Sequence, residues 1–468
     1  MTVLAAPRPL TSGTLRQALG LSGAAAEDRV YVGVSIDSRT IRPGELFVAL
    51  RGERHDAADF LPQVAERGGA GAIVAEGRVD PGLPLEYFPV ADPGEALRTL
   101  AGEVRRRAVA TVVAVTGSSG KTTVKEMVAA ALGEERRVYR TAGNLNSQVG
   151  VPLTILRAPA EADLWVLEVG ASEPGEIGRL AEVAAPDHVI VTTVGAAHLE
   201  RFGDVEGVLA EKLELARRAS ATGTLVVGEE PPMLAAAATA LRSGAIVAGI
   251  GPDATYRPET YEIEAERVAF ERGGARVEIA AGGEHHLRDA LIAAALAEAL
   301  GTPPGSLADG LARYEPLGMR GAVRHLAELT LLADCYNANP DSFRAAIAQC
   351  RDLFPGRRRA AFIGSMLELG DAEEAAHAEV AGLLIGAGFE LIAATGLFAE
   401  ALFDEPPGVT IVRAADPLEA WEPFARHLAG DEVVLVKGSR GARLERIVER
   451  LEGRGEGTDR SSAGEGAA

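Results

Sequence analysis

The segment Thr116-Gly-Ser-Ser-Gly-Lys-Thr-Thr123 combines the residue types that bind the phosphates of a nucleotide. A glycine-rich turn between a strand and a helix lets successive backbone N–H groups point at phosphate oxygens, and the helix N-terminus adds partial positive charge. Lys121 supplies a full positive charge, and the hydroxyl of Thr122 is placed to ligate a Mg²⁺ ion that bridges phosphates. The predicted ATP-binding residues of this loop are Gly117, Ser118, Ser119, Gly120, Lys121, Thr122 and Thr123.

The loop is a tighter variant of the general phosphate-loop pattern. Val115 stands five positions before Gly120, where that pattern has its first glycine. A flexible turn with a solvated lysine is the structural alternative. The β-branched run before the loop and the Lys-Thr-Thr triplet inside it argue against that alternative, so we expect a soluble enzyme that uses ATP.

Three further polar side chains could take part in chemistry. Glu168 ends a buried apolar run, where a carboxylate is costly unless it is paired or bound to a metal. His198 follows another apolar run, and Lys212 lies on a probable helix among acidic neighbours. A salt-bridged carboxylate, a hydrogen-bonded structural histidine and a surface ion pair are the competing interpretations. The residue types alone leave both sets of roles open.

The elements around the loop indicate how it is positioned. The run 111–116 predicts a strand and the pattern from 122 to 132 predicts a helix. Further apolar runs lie at 164–169, 189–194, 225–227 and 246–250. Segments long enough for helices separate them, which indicates βαβ units and a mostly parallel sheet. A period-two pattern on both sides of Gly273-Gly274 predicts a hairpin beside that sheet. We assign residues 109–318 to a central, parallel-sheet ATP-binding domain.

Two more domains flank the central one. A second alternating series starts near Leu329, and its last helix places an apolar face on Leu444, Ile447, Val448 and Leu451. This predicts a Rossmann-like α/β domain at 319–453. Residues 1–108 have their own strand and turn signals and predict a small N-terminal α/β domain. The segment 454–468 is rich in Gly, Ser and Glu, which is typical of a disordered tail. The predicted fold class is therefore α/β, with three domains.

The composition excludes several classes of function. The chain has 47 basic and 67 acidic residues and a net charge of −20, which repels a polyanion, so we expect no nucleic-acid partner. Only Cys335 and Cys350 occur, as is typical of a reducing cytoplasm. No run reaches the roughly 18 apolar residues of a membrane span. We expect a cytoplasmic monomer without membrane insertion.

The phosphate loop and its continuation resemble the Mur ligases of peptidoglycan synthesis. Further segments fall in the order expected of one member of that family: Gly143 to Asn146, Ala197 to Gly203, Asp334 to Pro340, Met366 to Gly370 and Val436 to Arg440. The similarity extends from about Ile36 to Leu451. The runs Tyr-Asn-Ala-Asn-Pro and Leu-Glu-Leu-Gly within these segments are the most specific to that member.

The resemblance implies an enzyme that joins a carboxylate to an amine at the expense of ATP. In the member in question, the carboxylate of UDP-MurNAc-tripeptide accepts the γ-phosphoryl group to form an acyl phosphate. The amine of D-Ala-D-Ala then attacks, and ADP and phosphate leave. Mg²⁺ and fixed cations are expected around the transferring group, because positioning and charge stabilisation carry most of this catalysis.

The resemblance also implies roles for individual residues. Glu168 matches a Mg²⁺ ligand, His198 a ligand of a second metal ion, and Lys212 a carbamylated lysine that binds the same ion. The implied catalytic residues are Lys121, Glu168, His198 and Lys212, and the implied metal ligands are Thr122, Glu168, His198 and Lys212. Arg320 and Asp334 resemble residues that contact the phosphate and ribose of ATP across the domain cleft. An exposed linker arginine and a turn-capping carboxylate are the alternatives for these two.

Several polar residues match positions that bind the other substrates. Ser38 and Arg39 are candidates for the UDP end, and Asn144 and Asn146 for the muramoyl-peptide end. The candidates for the dipeptide or the far end of the tripeptide are Asn337, Asn339, Lys437, Ser439 and Arg440. Asparagines and serines in loops also stabilise turns, which is the structural alternative for this set.

The sequence departs from the family pattern in three places. His286 and Asp289 stand where asparagines are usual, and His286 remains the candidate on the adenine side. Ala57 and Ala58 replace a Gly-His pair near the uridine side. The segment 171–174 is a variable version of its motif. None of these changes removes a predicted catalytic group.

Two other enzyme classes and a binding protein are alternatives. Another ligase of the superfamily would add a single amino acid or a glutamate, as a folylpolyglutamate synthetase does. A phosphate-loop ATPase or kinase would not need both a carboxylate and an amine. A non-catalytic relative would have lost Lys121, Glu168, His198 or Lys212, and all four are present.

Overall fold

The computed structural model describes residues 10–22, 28–52, 55–327, 329–401 and 407–461, with side chains described as far as residue 454. Within these ranges the chain forms α/β domains built mainly on parallel sheets. The predicted fold class is therefore confirmed.

The N-terminal domain contains a small parallel sheet. Its elements are β1 (Leu10–Thr11), α1 (Ser12–Ala18), β2 (Val30–Tyr31), β3 (Val34–Ser35), β4 (Leu46–Val48), α2 (Leu61–Glu66), β5 (Gly71–Ala75), β6 (Glu86–Val90) and α3 (Pro93–Arg107). Strands β3 to β6 pair in that order, and β1 pairs with β2 in an antiparallel manner. The helix α3 begins after Asp92, whose side chain accepts hydrogen bonds from the first turn.

The central domain contains the predicted strand, loop and helix. Its elements are β7 (Thr111–Thr116), α4 (Lys121–Leu132), β8 (Val138–Arg140), α5 (Gly150–Leu156), β9 (Leu164–Glu168), α6 (Glu176–Ala184), β10 (His188–Val191), α7 (Leu199–Phe202), α8 (Val205–Arg217), β11 (Leu225–Gly228), α9 (Pro232–Leu241), β12 (Ile246–Ala248), β13 (Thr260–Ile263), β14 (Val268–Arg272), β15 (Ala275–Ile279), α10 (Glu284–Ala299) and α11 (Pro304–Leu311).

The central parallel sheet has the order β12-β11-β10-β7-β9-β8. Strand β7 thus lies between β9 and β10, and the polar residues that follow all three strands meet at one edge of the sheet. The predicted hairpin is confirmed as β14 and β15, and β13 extends it to three antiparallel strands.

The C-terminal domain contains a six-stranded sheet of order β16-β17-β21-β18-β19-β20, in which only β16 is antiparallel. Its elements are β16 (Ala322–Leu326), β17 (Leu329–Asp334), α12 (Pro340–Leu353), β18 (Arg359–Ile363), α13 (Glu373–Gly386), β19 (Leu391–Thr395), β20 (Thr410–Ala414), α14 (Pro417–His427), β21 (Val433–Lys437) and α15 (Glu445–Ser461). The helix α15 begins at Glu445, one residue after the first member of the predicted apolar face, and all four members of that face pack in one cluster on this sheet: Leu444, Ile447, Val448 and Leu451.

The N-terminal and central domains share a hydrophobic core. Leu97 and Leu100 of α3 belong to the same buried cluster as Val112 of β7 and Trp165 of β9. The C-terminal sheet instead has separate clusters on its two faces.

The predicted disordered tail differs from the structure over 454–461, where α15 continues to Ser461. The last buried apolar side chain of this helix is Leu451, and Arg454 still donates a hydrogen bond to the carbonyl of Ala425 (2.7 Å). Helical backbone bonding therefore continues beyond the apolar face. Residues 462–468 of the predicted tail lie outside the described residues. None of the helices in the described ranges has both the length and the apolar character needed to cross a bilayer.

Candidate active site

The phosphate loop is attached to the end of β10. The N–H of Ser118 donates to the carbonyl of Thr193 (2.9 Å), and the N–H of Ser119 donates to the hydroxyl of the same threonine (3.1 Å). Gly117 has a positive φ of 148°, and a Cβ there would lie 2.0 Å from the Thr192 hydroxyl oxygen. Only glycine fits this approach, so the neighbouring strand fixes the path of the loop.

Lys121 begins α4 and turns back over the loop. Its ammonium donates hydrogen bonds to the carbonyls of Gly117 (2.7 Å) and Ser118 (3.2 Å). Burial lowers the pKa of Lys121, the charge of Glu168 opposes this shift, and Arg320 adds to it. The lysine therefore lies within electrostatic range of the predicted metal-binding carboxylate and of a C-terminal-domain cation.

Glu168 is buried at the end of β9 and binds two side chains. It is 2% exposed and accepts hydrogen bonds from the Thr122 hydroxyl (2.9 Å) and the Asn146 amide nitrogen (2.8 Å). The carboxylate is thus held in place from two sides.

Among the described residues, no group of three or more His, Cys, Asp or Glu is arranged to hold a metal ion. Mg²⁺ bound to a nucleotide usually takes only one or two protein ligands and completes its shell with phosphates and water. The adjacent hydroxyl and carboxylate oxygens of Thr122 and Glu168 fit that donor set.

His198 contacts the C-terminal domain. Its Nδ1 lies 2.8 Å from a carboxylate oxygen of Glu368, and this hydrogen bond lowers the pKa of the Glu368 carboxyl. Both residues have left-handed backbones, with φ of 53° and 68°. Such conformations are rare for side chains of this size and cluster at functional sites. The sequence had singled out the Leu-Glu-Leu-Gly segment, but not Glu368 itself.

Lys212 is buried on α8 and faces the same cleft. It is 2% exposed, and burial together with the charge of Lys121 lowers its pKa to about 7. The surface ion pair that competed with a catalytic role is therefore excluded. The neighbouring Glu211 accepts hydrogen bonds from the N–H groups of Gly175 and Ile177 (both 2.8 Å) at the start of α6. These bonds fix α8, and so Lys212, against the start of α6.

These residues surround one cleft of about 1100 Å³ between the central and C-terminal domains. The predicted site residues that line it are Gly117 to Thr123, Asn144, Asn146, Glu168, His198, Lys212, His286, Arg320, Asp334, Asn337, Asn339 and Lys437. Ser38, Arg39, Ser439 and Arg440 are not among its lining residues.

His286 and Asp289, which stand where the family pattern has asparagines on the predicted adenine side, are both buried. The imidazole of His286 is 1% exposed, its Nδ1 lies 2.7 Å from the carbonyl of Gly282, and burial lowers its pKa. Its ring lies 4.1 Å from that of His285. Burial raises the pKa of Asp289 well above its usual range, and this carboxyl lies beside Gly120 of the phosphate loop.

A hydrogen-bonded group around Glu229, on the same side of the cleft as His286, was not predicted from the sequence. Glu229 accepts hydrogen bonds from the N–H groups of Ile250 (2.9 Å) and Gly251 (2.8 Å) and pairs with Arg288. All of these partners are remote in sequence from Glu229, so only the tertiary structure reveals the group.

The C-terminal domain presents cations and an amide to the cleft. The guanidinium of Arg320 stacks 3.6 Å from the ring centre of Tyr336, and Asp334 pairs with the buried ammonium of Lys437. Asn339 caps α12, where its side-chain oxygen accepts from the N–H of Ser342 (2.8 Å). Its amide nitrogen donates to the Ser119 hydroxyl (3.2 Å), which joins the C-terminal domain to the phosphate loop.

The other candidates have structural partners. Arg39 makes a two-bonded ion pair with its neighbour Asp37 (2.9 and 2.7 Å), and Ser38 is buried beside them. The hydroxyl of Ser439 accepts from the N–H of Leu367 (3.2 Å) and so connects two loops. The guanidinium of Arg440 lies 5.5 Å from the ring centre of Tyr336. Substrate binding by these residues stays a prediction.

The chain belongs to the Mur ligase family. Three models of that family match it: the Mur ligase family catalytic domain at residues 30–104, the Mur ligase middle domain at 115–297 and the Mur ligase glutamate ligase domain at 319–440. A curated relative from Escherichia coli (strain K12), 36% identical over 431 residues, covers 90% of this chain and 94% of its own length.

That relative is a UDP-N-acetylmuramoyl-tripeptide--D-alanyl-D-alanine ligase. A solved structure of MurF from Acinetobacter baumannii superposes with a TM-score of 0.86 at 29% identity and covers 96% of this chain and 100% of its own. The structure of MurF from Thermotoga maritima in complex with ADP has a TM-score of 0.77 at 27% identity and covers 91% and 98%.

Proposed function

We propose that this chain is an ATP-dependent ligase that joins the tripeptide carboxylate of UDP-MurNAc-tripeptide to the amine of D-Ala-D-Ala. The reaction proceeds through an acyl phosphate and belongs to the cytoplasmic synthesis of peptidoglycan precursors. One observation carries the proposal: the phosphate loop, Glu168 and Lys212 lie in the same cleft as the Tyr-Asn-Ala-Asn-Pro segment of the C-terminal domain. The 36% identical relative with this activity supports the choice of substrates.

In the first step a carboxylate oxygen of the tripeptide attacks the γ-phosphorus of ATP, and the bond to the bridging oxygen breaks as ADP leaves. Lys121 and the N-terminus of α4 stabilise the charge on the phosphates. Thr122 and Glu168 would hold Mg²⁺, which would neutralise part of the charge on the phosphate oxygens. Arg320 approaches the same phosphates from the C-terminal domain.

In the second step the amine nitrogen of D-Ala-D-Ala attacks the acyl carbon. The tetrahedral intermediate collapses with cleavage of the bond between the carbon and the phosphate oxygen. Inorganic phosphate leaves and takes up the proton that the nitrogen loses as the amide forms. Water must be excluded, because it would hydrolyse the acyl phosphate. The contacts of Asn339 with Ser119 (3.2 Å) and of His198 with Glu368 (2.8 Å) connect the two domains across the cleft.

Lys212 is proposed to act as a carbamate. A lysine whose pKa is about 7 has a large neutral fraction at neutral pH, and only the neutral amine adds to CO₂. The product is an anion that could bind a second metal ion together with His198. Exchange with ¹³CO₂ followed by ¹³C NMR should give a carbamate signal that is absent from Lys212→Met.

The test of the whole proposal is ADP release measured with UDP-MurNAc-tripeptide and a panel of amines. Release should require both the tripeptide and D-Ala-D-Ala, and an ¹⁸O label in the tripeptide carboxylate should appear in the released phosphate. Activity with a free amino acid but not with D-Ala-D-Ala would identify a different ligase. Phosphate release without an amine would instead indicate an ATPase. We further propose that the enzyme acts as a monomer, and light scattering at assay concentrations checks this.

A further inference from the structure

Lys125 is a fully buried lysine on α4, one turn after Lys121. Its side chain is 0% exposed, although a buried ammonium is costly unless charges and hydrogen bonds compensate it. Residues three and four apart are neighbours on a helix surface, so Lys125 lies next to both Thr122 and Lys121 on α4. These two neighbours face the phosphates and Glu168, and Lys125 has no role in the reaction described above.

The contacts of Lys125 tie α4 to the turn that follows β8. Its ammonium donates to the carbonyls of Thr141 (2.8 Å) and Gly143 (3.4 Å). It also pairs with the carboxylate of Glu126 (3.0 Å) and lies 3.6 Å from an oxygen of Glu168. One charged group therefore binds the helix, the turn and the strand-end carboxylate.

The turn held by Lys125 carries Asn144 and Asn146, which line the cleft. The amide of Asn146 donates to the other oxygen of Glu168 (2.8 Å). Lys125 thus contacts both the turn that carries Asn146 and the Glu168 carboxylate that accepts its hydrogen bond. Displacement of either would break this bond.

We propose that Lys125 is a positioning residue that sets the turn 141–146 against Glu168 and so shapes the binding site for the UDP-linked precursor. This inference rests on the proposed function. It gives Lys125 a role in substrate binding beyond that of a charge that merely stabilises the central core.

The test compares Lys125→Met with a matched control. Glu432 of the C-terminal domain is also buried, and it accepts hydrogen bonds from two backbone N–H groups (2.7 and 2.8 Å) far from the cleft. Glu432→Met thus removes a buried charge that ties a loop, as Lys125→Met does, and should lower the melting temperature without changing KM. Lys125→Met should raise the KM for UDP-MurNAc-tripeptide by about tenfold or more, since charge-assisted hydrogen bonds are lost. The KM for ATP should change less, because Glu168 keeps its hydrogen bond to the Thr122 hydroxyl (2.9 Å).

A double-mutant cycle with Asn146→Ala separates positioning from general destabilisation. If Lys125 acts through the turn, Lys125→Met should add little to the KM of Asn146→Ala. Additive effects, or an unchanged KM in folded Lys125→Met, would overturn the inference. Lys125→Gln retains one donor and should restore part of the affinity; it replaces Lys125→Met in both comparisons if the methionine variant does not fold.

Calorimetric titration of the unmodified protein with UDP-MurNAc-tripeptide tests the proposed function separately from the role of Lys125. Failure of the unmodified protein to bind would refute the proposed function. Binding by the unmodified protein with equal binding by folded Lys125→Met would refute only the role of Lys125.

Discussion

Replacement of Lys212 by methionine should make the protein more stable at neutral pH while it abolishes ligase activity. Methionine keeps an unbranched side chain of similar length but removes the buried ammonium. The pKa of Lys212 falls from 10.5 to about 7 because of burial and the charge of Lys121, with Glu211 and Glu176 opposing. At about 1.4 kcal/mol per pH unit, the charged lysine costs about 5 kcal/mol of folding free energy as an upper bound.

The free-energy cost of burying Lys212 depends on pH, because its pKa is lower in the folded state than in the unfolded state. Below pH 7 the lysine is charged in both the folded and unfolded states, so the full cost is present. Between pH 7 and 10.5 the folded state holds the neutral amine, and the cost declines as the pH rises. The stability advantage of Lys212→Met should therefore be greatest near pH 6 to 7 and almost absent near pH 10.5.

Urea unfolding in CO₂-free buffer measures this difference. The two tryptophans lie in different domains, so a Trp421→Phe background leaves Trp165 as the reporter of the central domain. Groups that do not interact with Lys212 cancel when the unfolding free energies of the two proteins are subtracted at each pH. A difference that does not change between pH 6.5 and 10, or a less stable methionine variant at pH 7, would refute the reasoning.

Three further predictions address the loop and the cleft. Glu168→Gln should lower kcat by on the order of 100-fold or more with an unchanged circular dichroism spectrum, because a charged oxygen beside the phosphates is lost; full activity in steady-state assays would contradict this role. Asn339→Ser should keep the cap of α12 but lose the bond to Ser119, so X-ray scattering should show less compaction with an ATP analogue than in the unmodified protein. Compaction of equal size would count against that link. Gly117→Ala should raise the KM for ATP by at least about tenfold, since the added methyl collides with Thr192, and an unchanged KM would show that the loop can yield.

Local signals were sufficient to predict the phosphate loop and its supporting elements. The β-branched run before Gly117, the glycines and the Lys-Thr-Thr triplet all lie within residues 111–123, so no tertiary contact is needed to interpret them. The hairpin at Gly273-Gly274 was predictable for the same reason. Glu168 was assigned to the phosphate site only through the family resemblance; the structure puts it there because the carboxyl ends of the parallel strands β7 and β9 meet at one edge of the sheet.

The partners of these groups could not be predicted, because they come from remote parts of the chain. Glu368 reaches His198 only when the C-terminal domain packs on the central one. Lys125 looks like any helical lysine until the turn after β8 closes over it. The tail prediction failed over 454–461 because low apolar content does not stop a helix that its preceding turns already support.

The hydrophobic core shared by the N-terminal and central domains determines which fragments of the chain can be expressed separately. The helix α3 packs into the same apolar cluster as β7 and β9. A fragment that starts at residue 109 would therefore expose the hydrophobic surface that Leu97 and Leu100 cover. The C-terminal sheet carries its own clusters on both faces. Three fragments cut at the boundaries of the three family segments would therefore divide one hydrophobic core. A single boundary near residue 318 leaves each core intact and gives two fragments.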